Sequence, residues 1–287
     1  MWLASEATEM RQPDFPQTFL PGRAILKIAG PDARHFLHNL LTADIEALAP
    51  GDATYGALLT PQGKILSDVF VFSDGTAYLI DCARTQKHDL LKRLAMYKLR
   101  AAVSIGEAEN LEAGVALDET SHALRYPDPR SAEIGWRMMV GEGKLETADG
   151  YDLTRITLGF ADSDADLGSG EFFPHEANLD QFSAVSFSKG CYVGQEVVSR
   201  MEHRAMARSR ILPVRLSGPA PEKGAEIRSG EKLVGQILSS SGRRALAVLR
   251  LDRLAETSEP LLTDAVTVTV LKPRWAHYEI PKAEIEP

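Results

Sequence analysis

The chain has 287 residues, 44% hydrophobic and 25% charged, which is the composition of an ordinary soluble globular protein with length for two or three domains and a large core. A net charge of −8 excludes sequence-independent nucleic-acid binding, which depends on many phosphate-neutralising cations. The only cysteines, Cys82 and Cys191, exclude a disulfide framework and a self-contained four-thiolate cluster site, and they fit a reducing compartment.

The first 20 residues, punctuated by Pro13 and Pro16, read as loosely structured. They carry Glu6, Glu9 and Asp14 without a long apolar run, so they do not read as a secretory signal. No segment has the length of a membrane span, and the expected location is cytoplasmic. Residues 23–28 alternate apolar and polar like a strand, and Gly30-Pro31-Asp32 opens a helix with the apolar stripe Phe36, Leu37, Leu40 and Leu41. A hairpin follows, with strands over 55–60 and 65–72 joined by the turn Pro61-Gln62-Gly63-Lys64. A strand over 77–80, an amphipathic helix over 86–99, and strands over 101–105 and 114–117 complete an α+β layout of helices on mostly antiparallel sheet.

Residues 119–133 are polar and broken by Pro127 and Pro129, which predicts a surface excursion. A short strand over 136–140 precedes a helix over Tyr151–Leu158, with Leu153, Ile156 and Thr157 inward and Gly159 at its end. Residues 162–170 read as a mobile acidic loop. Beyond Arg210, short strand-like runs at 212–216, 225–227, 233–239, 245–251 and 265–271 predict a small all-β module of about six strands, a barrel or closed sandwich. The expected divisions are 1–20, 21–207 as two interleaved α+β subdomains, and 208–287 as the β-barrel.

Chemistry concentrates in Ser188-Lys189-Gly190-Cys191-Tyr192-Val193-Gly194-Gln195-Glu196, followed by Val197, Arg200 and Met201 at helical spacing. Cys191 is expected on a tight turn just before a helix. With Lys189 two residues away it is placed either to react as a thiolate or to be an inert packed thiol. Lys189, Arg200, Arg204, Arg208 and Arg210 form a local basic run, which is either a solvated helix face or an anion-accepting rim.

The string Lys189-Gly190-Cys191-Tyr192-x-Gly194-Gln195-Glu196 resembles the signature of the YgfZ family of folate-binding proteins. Gly30-Pro31-Asp32 to Asp44, Pro61-Gln62-Gly63-Lys64-Ile65-Leu66-Ser67-Asp68, Arg155-Ile156-x-x-Gly159 and Phe173-Pro174-His175-Glu176-Ala177-Asn178-Leu179-Asp180 extend the likeness from about residue 22 to the barrel. The resemblance implies an accessory role in assembly or repair of iron–sulfur enzymes, including tRNA-modifying ones, with tetrahydrofolate or a derivative as cofactor and iron–sulfur assembly proteins or client enzymes as partners. It also implies the T-protein-like (GcvT-like) fold, with three units in a ring around a central folate cavity.

That relation supplies a rival reading, a tetrahydrofolate-dependent aminomethyl or one-carbon transferase like the glycine-cleavage T-protein. T-proteins carry two adjacent acids at the hairpin, where this chain has Ser67-Asp68. A hydroxyl does not replace a carboxylate that stabilises charge on nitrogen. A non-catalytic scaffold is the third reading. The resemblance names Cys191 and Lys189 as the acting groups and Tyr151, Glu176, Asn178, Tyr192, Gln195, Glu196, Asp68 and Arg200 as folate contacts, with Lys64 and Arg100 as further contacts for a glutamate tail. Each has a structural alternative: Tyr151 in core packing, Tyr192 at a domain interface, Asn178 capping a turn, Glu176 facing water. His175 lacks a second histidine at ligand spacing, which argues against a metal role.

Overall fold

The computed structural model describes residues 17–285 apart from 120, 123 and 204–206. Three β systems meet around one apolar core. Strands β1 (Gln17–Phe19), β2 (Arg23–Ala29), β3 (Ala53–Leu59), β4 (Ile65–Ser73), β5 (Ala77–Ala83) and β6 (Ser104–Glu107) open the chain. Helices α1 (Ala33–Leu40) and α2 (Lys87–Lys98) are interspersed among them. A five-stranded sheet of order β3-β4-β5-β2-β6 results, all of its pairs antiparallel. Leu37, Leu40, Leu90 and Leu94 of the helices bury themselves on one face of it, against Leu26, Ile28, Val69, Val71 and Ile80.

The second sheet takes β1, β7 (Leu111–Ala116), β8 (Leu124–Pro127) and β9 (Trp136–Gly141) in the order β1-β7-β9-β8. After α3 (Tyr151–Leu158) and α4 (Gln195–His203), strands β10 (Ser209–Leu216), β11 (Glu226–Ser229), β12 (Lys232–Ser241), β13 (Arg244–Arg250), β14 (Leu261–Thr263) and β15 (Val266–Val270) close a barrel, with α5 (Leu251–Ala255) after β13. The core between the three systems gathers Tyr55, Phe70 and Phe72 from the first sheet, Val115, Tyr126 and Met139 from the second, and Ile211, Leu238 and Leu246 from the barrel.

The α+β class with a closed barrel follows the sequence pattern, and the barrel has six strands. Its sixth, β14, is too short to carry an alternation of its own. Several local readings need correction. Residues 1–16 lie outside the described part, but Gln17–Phe19 pairs with β7 as an edge strand. Residues 119–133 are no surface excursion: β8 lies within them, and Asp128 and Arg130 are buried. Residues 162–170 are not a mobile loop. Ser163–Leu167 forms a wide helical turn, with the Asp162 side chain accepting from the N–H groups of Asp164 and Ala165, and Ser163, Asp166 and Leu167 are buried. In α3 the inward residues are Arg155 and Ile156, whereas Leu153 is exposed. Arg155 is drawn inward by Asp166, whose carboxylate accepts at 2.8 Å.

Candidate functional site

Two places hold groups with chemical potential, the buried centre and the loop that carries Cys191. At the centre, Asp81 on β5 accepts from Arg23 Nε at 2.6 Å and from Arg137 Nη2 at 2.6 Å. Asp128 accepts from Arg130 at 3.0 and 2.8 Å and from Arg137 at 3.4 Å. Burial opposes ionisation of both acids, but the guanidiniums outweigh it and hold both carboxyls below the usual range. The arginines also lie over aromatic rings: Arg137 is 3.7 Å from the Phe70 centroid, and Arg130 is 4.9 Å from Phe70 and 5.1 Å from Phe160. Asp68 adjoins this network, accepting from Tyr55 Oη at 2.9 Å and from the Ser163 hydroxyl. Burial and then the Asp68 charge push the Tyr55 phenol well above its ordinary value, so Tyr55 is a fixed donor.

The resemblance did not point to Arg23, Tyr55, Asp81, Asp128, Arg130, Arg137 or Ser163. A signal was present for two of them, since Asp81 and Arg137 are lone charges inside the otherwise apolar strands β5 and β9. A charge at such a position is buried only with a partner.

The Cys191 loop is built by contacts with α1 and with the β3–β4 hairpin. Thr42, fully buried, donates its hydroxyl to the Ala184 carbonyl at 2.6 Å and accepts from Ala57 N–H at 2.9 Å. Ser186 N–H donates to the Thr42 carbonyl at 2.9 Å. The Lys189 ammonium donates to the carbonyls of His38, Leu41 and Ala43, the last at 2.8 Å. Burial lowers its pKa to about 8 against the opposing pull of Asp44 and Glu46. Tyr192 is buried, with Lys189 Nζ 4.9 Å from its ring centroid, and burial pushes its phenol up to about 12. Gly194 sits at φ +83° against the hairpin turn. Between these anchors Cys191 is exposed and unpaired. Cys82, by contrast, is buried with its thiol pushed up to about 12, the inert kind.

The expectation that Lys189 supports a Cys191 thiolate therefore needs correction. An ammonium has three N–H donors, and three carbonyls take them. The expected turn and helix are as the sequence indicates, with α4 beginning at Gln195 directly after Gly194.

The residues named for a folate do not converge. Asp68 and Tyr151 border the central network, Tyr151 beside Arg130 and Arg137. Asn178 is buried and spent on the barrel: its amide donates to the Ile211 carbonyl at 2.7 Å, and its oxygen accepts from Tyr278 Oη at 2.8 Å. Glu176 accepts from Phe173 N–H at 3.0 Å. Glu196 and Arg200 are exposed and pair with each other at 2.7 Å along α4, which also carries Gln195. Tyr192 fills the shared core. Lys64 is tied to the Glu171 carbonyl at 3.1 Å, and Arg100 is exposed beyond α2. Both oxygens of Asp68, Asp81 and Asp128 already have donors. A pterin entering there has to break buried ion pairs, at about 3–5 kcal/mol for each partner lost. Of the residues named for a folate, Asp68 therefore offers a pterin no oxygen without giving up Tyr55 or Ser163.

The fold brings Asp180 and Glu202 beside His175, with ligand atoms within 4.8 Å of one another, a grouping invisible to linear spacing. Arg210 clamps both Asp180 oxygens at 2.6 and 3.0 Å, so that carboxylate is already neutralised and no metal reading follows. Arg210 and Asn178 thus act as struts between residues 175–180 and β10. Arg204, in the middle of the basic run, lies outside the described residues.

A two-sheet body followed by a closed six-stranded barrel is the T-protein class of fold. The described GCVT N-terminal domain matches residues 24–117, and the CAF17 C-terminal beta-barrel domain matches residues 208–278. The crystal structure of glycine cleavage system aminomethyltransferase T from Bartonella henselae superposes with a TM-score of 0.73 over 93% of this chain and 87% of that one. Its sequence identity is 14%, so the likeness concerns the fold.

Among curated proteins, the mitochondrial iron–sulfur cluster assembly factor IBA57 of Mus musculus is 30% identical, covering 89% of this chain and 84% of its own. The Homo sapiens protein of the same name is 30% identical over 80% of this chain and 76% of its own. The chain belongs to the IBA57 family of iron–sulfur cluster assembly factors. These relatives are mitochondrial by name, which overturns the cytoplasmic expectation. That expectation rested on the absence of a secretory signal, which does not separate one reducing compartment from another.

Proposed function

We propose that this chain is an accessory factor in iron–sulfur cluster assembly whose working surface is the Cys191 loop. The signature around Cys191, which resembles that of the YgfZ family, supports the same reading. The observation that carries the reading is an exposed, unpaired thiol on a loop pinned at both ends, in a chain of the IBA57 family. One thiolate holds a cluster only together with ligands from elsewhere. The partners are accordingly iron–sulfur assembly proteins or client enzymes that supply the remaining ligands, with the cluster as cargo.

Cys191→Ser tests the reading. The side chain is exposed, so its stability is expected to stay within about 0.5 kcal/mol of the parent by urea unfolding. In cells lacking the chain, the serine variant is expected not to restore aconitase-type or tRNA-thiolating activity. Normal restoration by Cys191→Ala would sink the thiol reading in favour of a scaffold.

Aminomethyl transfer has less support. Ser67 stands where T-proteins carry an acid and is a buried hydroxyl without a partner, and Asp68 is committed to Tyr55 and Ser163. Reduced folates at concentrations around ten micromolar are expected to give no saturable heat or thermal shift. Binding at that level needs about −7 kcal/mol, which the closed ionic centre opposes. A saturable signal abolished by Asp68→Asn would restore folate to the account, and methylenetetrahydrofolate production from aminomethylated carrier protein would restore the transferase.

A further inference from the structure

We infer that Lys189 is a positioning residue for Cys191, one that clasps the thiol-bearing loop to the C-terminal end of α1 and does not act on the sulfur. The inference rests on the reading of Cys191 as the working group. Helix ends leave carbonyls without intrahelical partners and concentrate partial negative charge there. At the end of α1, Leu41 N–H returns to Leu37, and the His38, Leu41 and Ala43 carbonyls converge on the Lys189 ammonium. The match between three donors and three acceptors is complete, so no N–H remains for the thiol.

The clasp is one part of a two-sided hold. Upstream, Lys189 N–H donates to Ser186 Oγ at 3.2 Å, and Ser186 N–H donates to Thr42 at 2.9 Å. Downstream, Tyr192 is buried with its ring facing the same ammonium, 4.9 Å from centroid to Nζ. Only Gly190 and Cys191 stand free between Lys189 and Tyr192. A Cβ added at Gly190 would meet nothing within 4 Å, so this pair projects into solvent from a fixed base. A thiol that must join ligands supplied by another protein gains from such a hold, because misplacement by about 1 Å is costly wherever several groups must meet at one centre.

The test places a nitroxide on Cys191 of the full chain with a methanethiosulfonate reagent, Cys82 being buried. The parent is expected to give a broad, motionally restricted spectrum at neutral pH. Lys189→Met is expected to shorten the label's correlation time several-fold. Ser186→Ala, which removes one upstream bond, is expected to do so to a smaller degree. Lys189→Gln, which keeps two N–H donors, serves if the methionine variant fails to fold and is expected to fall between.

In parallel, the pH profile of iodoacetamide alkylation of unlabelled Cys191 is expected to superimpose for parent and Lys189→Met. A label already mobile in the parent, or unchanged by both lysine variants, overturns the inference. So does an alkylation profile displaced upward by about one pH unit, the signature of a lysine that stabilises the thiolate. A label freed by Lys189→Met, together with full activation of iron–sulfur enzymes by Cys191→Ala, upholds the clasp and overturns the thiol reading, so the two ideas fail separately.

Discussion

Asp81→Asn is expected to cost about 3–5 kcal/mol, a large share of the roughly 5–15 kcal/mol that holds a folded domain together. Asp81 accepts from Arg23 Nε at 2.6 Å through one oxygen and from Arg137 at 2.6 and 3.2 Å through the other. An asparagine keeps one acceptor but turns an N–H₂ group toward a guanidinium, leaving two buried cations short of their counter-charge. As a carboxylate partner Arg137 then has only Asp128 at 3.4 Å, and Arg23 keeps Ser163 at 3.0 Å and the residue-81 carbonyl at 3.0 Å. The same geometry sets an acid branch. Burial works against the charge on Asp81 and Asp128, and the arginines overcome it, so their folded pKa values lie below the unfolded ones. A depressed folded value gives stability that is present above the unfolded pKa of about 4 and is lost as pH falls through the folded one. The parent is therefore expected to lose stability steadily from about pH 4 downward, and Asp81→Asn to show a flatter decline from a lower start. Urea midpoints measured across that range decide it. A cost under about 1 kcal/mol would mean that the network contributes little to holding the two sheets together.

What the sequence made legible divides along a physical line. Periodicity located β2, β4, α1, α2, α3 and most barrel strands, because each buries one face and the pattern of apolar residues records which face it is. The signature around Cys191 was legible because its residues are contiguous. The ionic centre was not, since its partners come from elements far apart in the chain: Asp81 and Arg137 are separated by 56 residues, and Arg23 and Ser163 by 140. Asp128 and Arg130 read as surface because charge and proline mark loops on average, and nothing local says that a facing arginine will compensate their burial. Lys189 was misjudged for a related reason. Two residues of separation suggested contact with the thiol, whereas its acceptors lie on α1 and just beyond it, 146 to 151 residues earlier in the chain.

Gly194→Ala is expected to destabilise the chain by about 2–5 kcal/mol, combining roughly 1–2 kcal/mol for an L-residue at positive φ with roughly 1–3 kcal/mol for overpacking. Gly194 has φ +83°, and a Cβ there would lie 2.6 Å from the Thr60 carbonyl oxygen, 3.0 Å from Gly63 Cα and 3.1 Å from Leu59 Cβ. The obstacles are mostly backbone, so no side chain can swing aside to relieve them. Gly63 faces the same constraint from the other side, since a Cβ at its φ of +83° would come within 2.9 Å of Val197 Cβ. The hairpin turn and the start of α4 therefore touch glycine to glycine, which explains why the hairpin and the signature each carry a glycine at that point. Because the contact anchors the downstream end of the Cys191 loop, the alanine variant is expected to lose more than stability. At temperatures where it remains folded, amide hydrogen exchange across residues 190–197 should quicken relative to the barrel strands, and iron–sulfur enzyme activation should fall with it. An alanine variant with parental urea midpoint and parental exchange in that segment would show that the close approach is not a constraint on this fold.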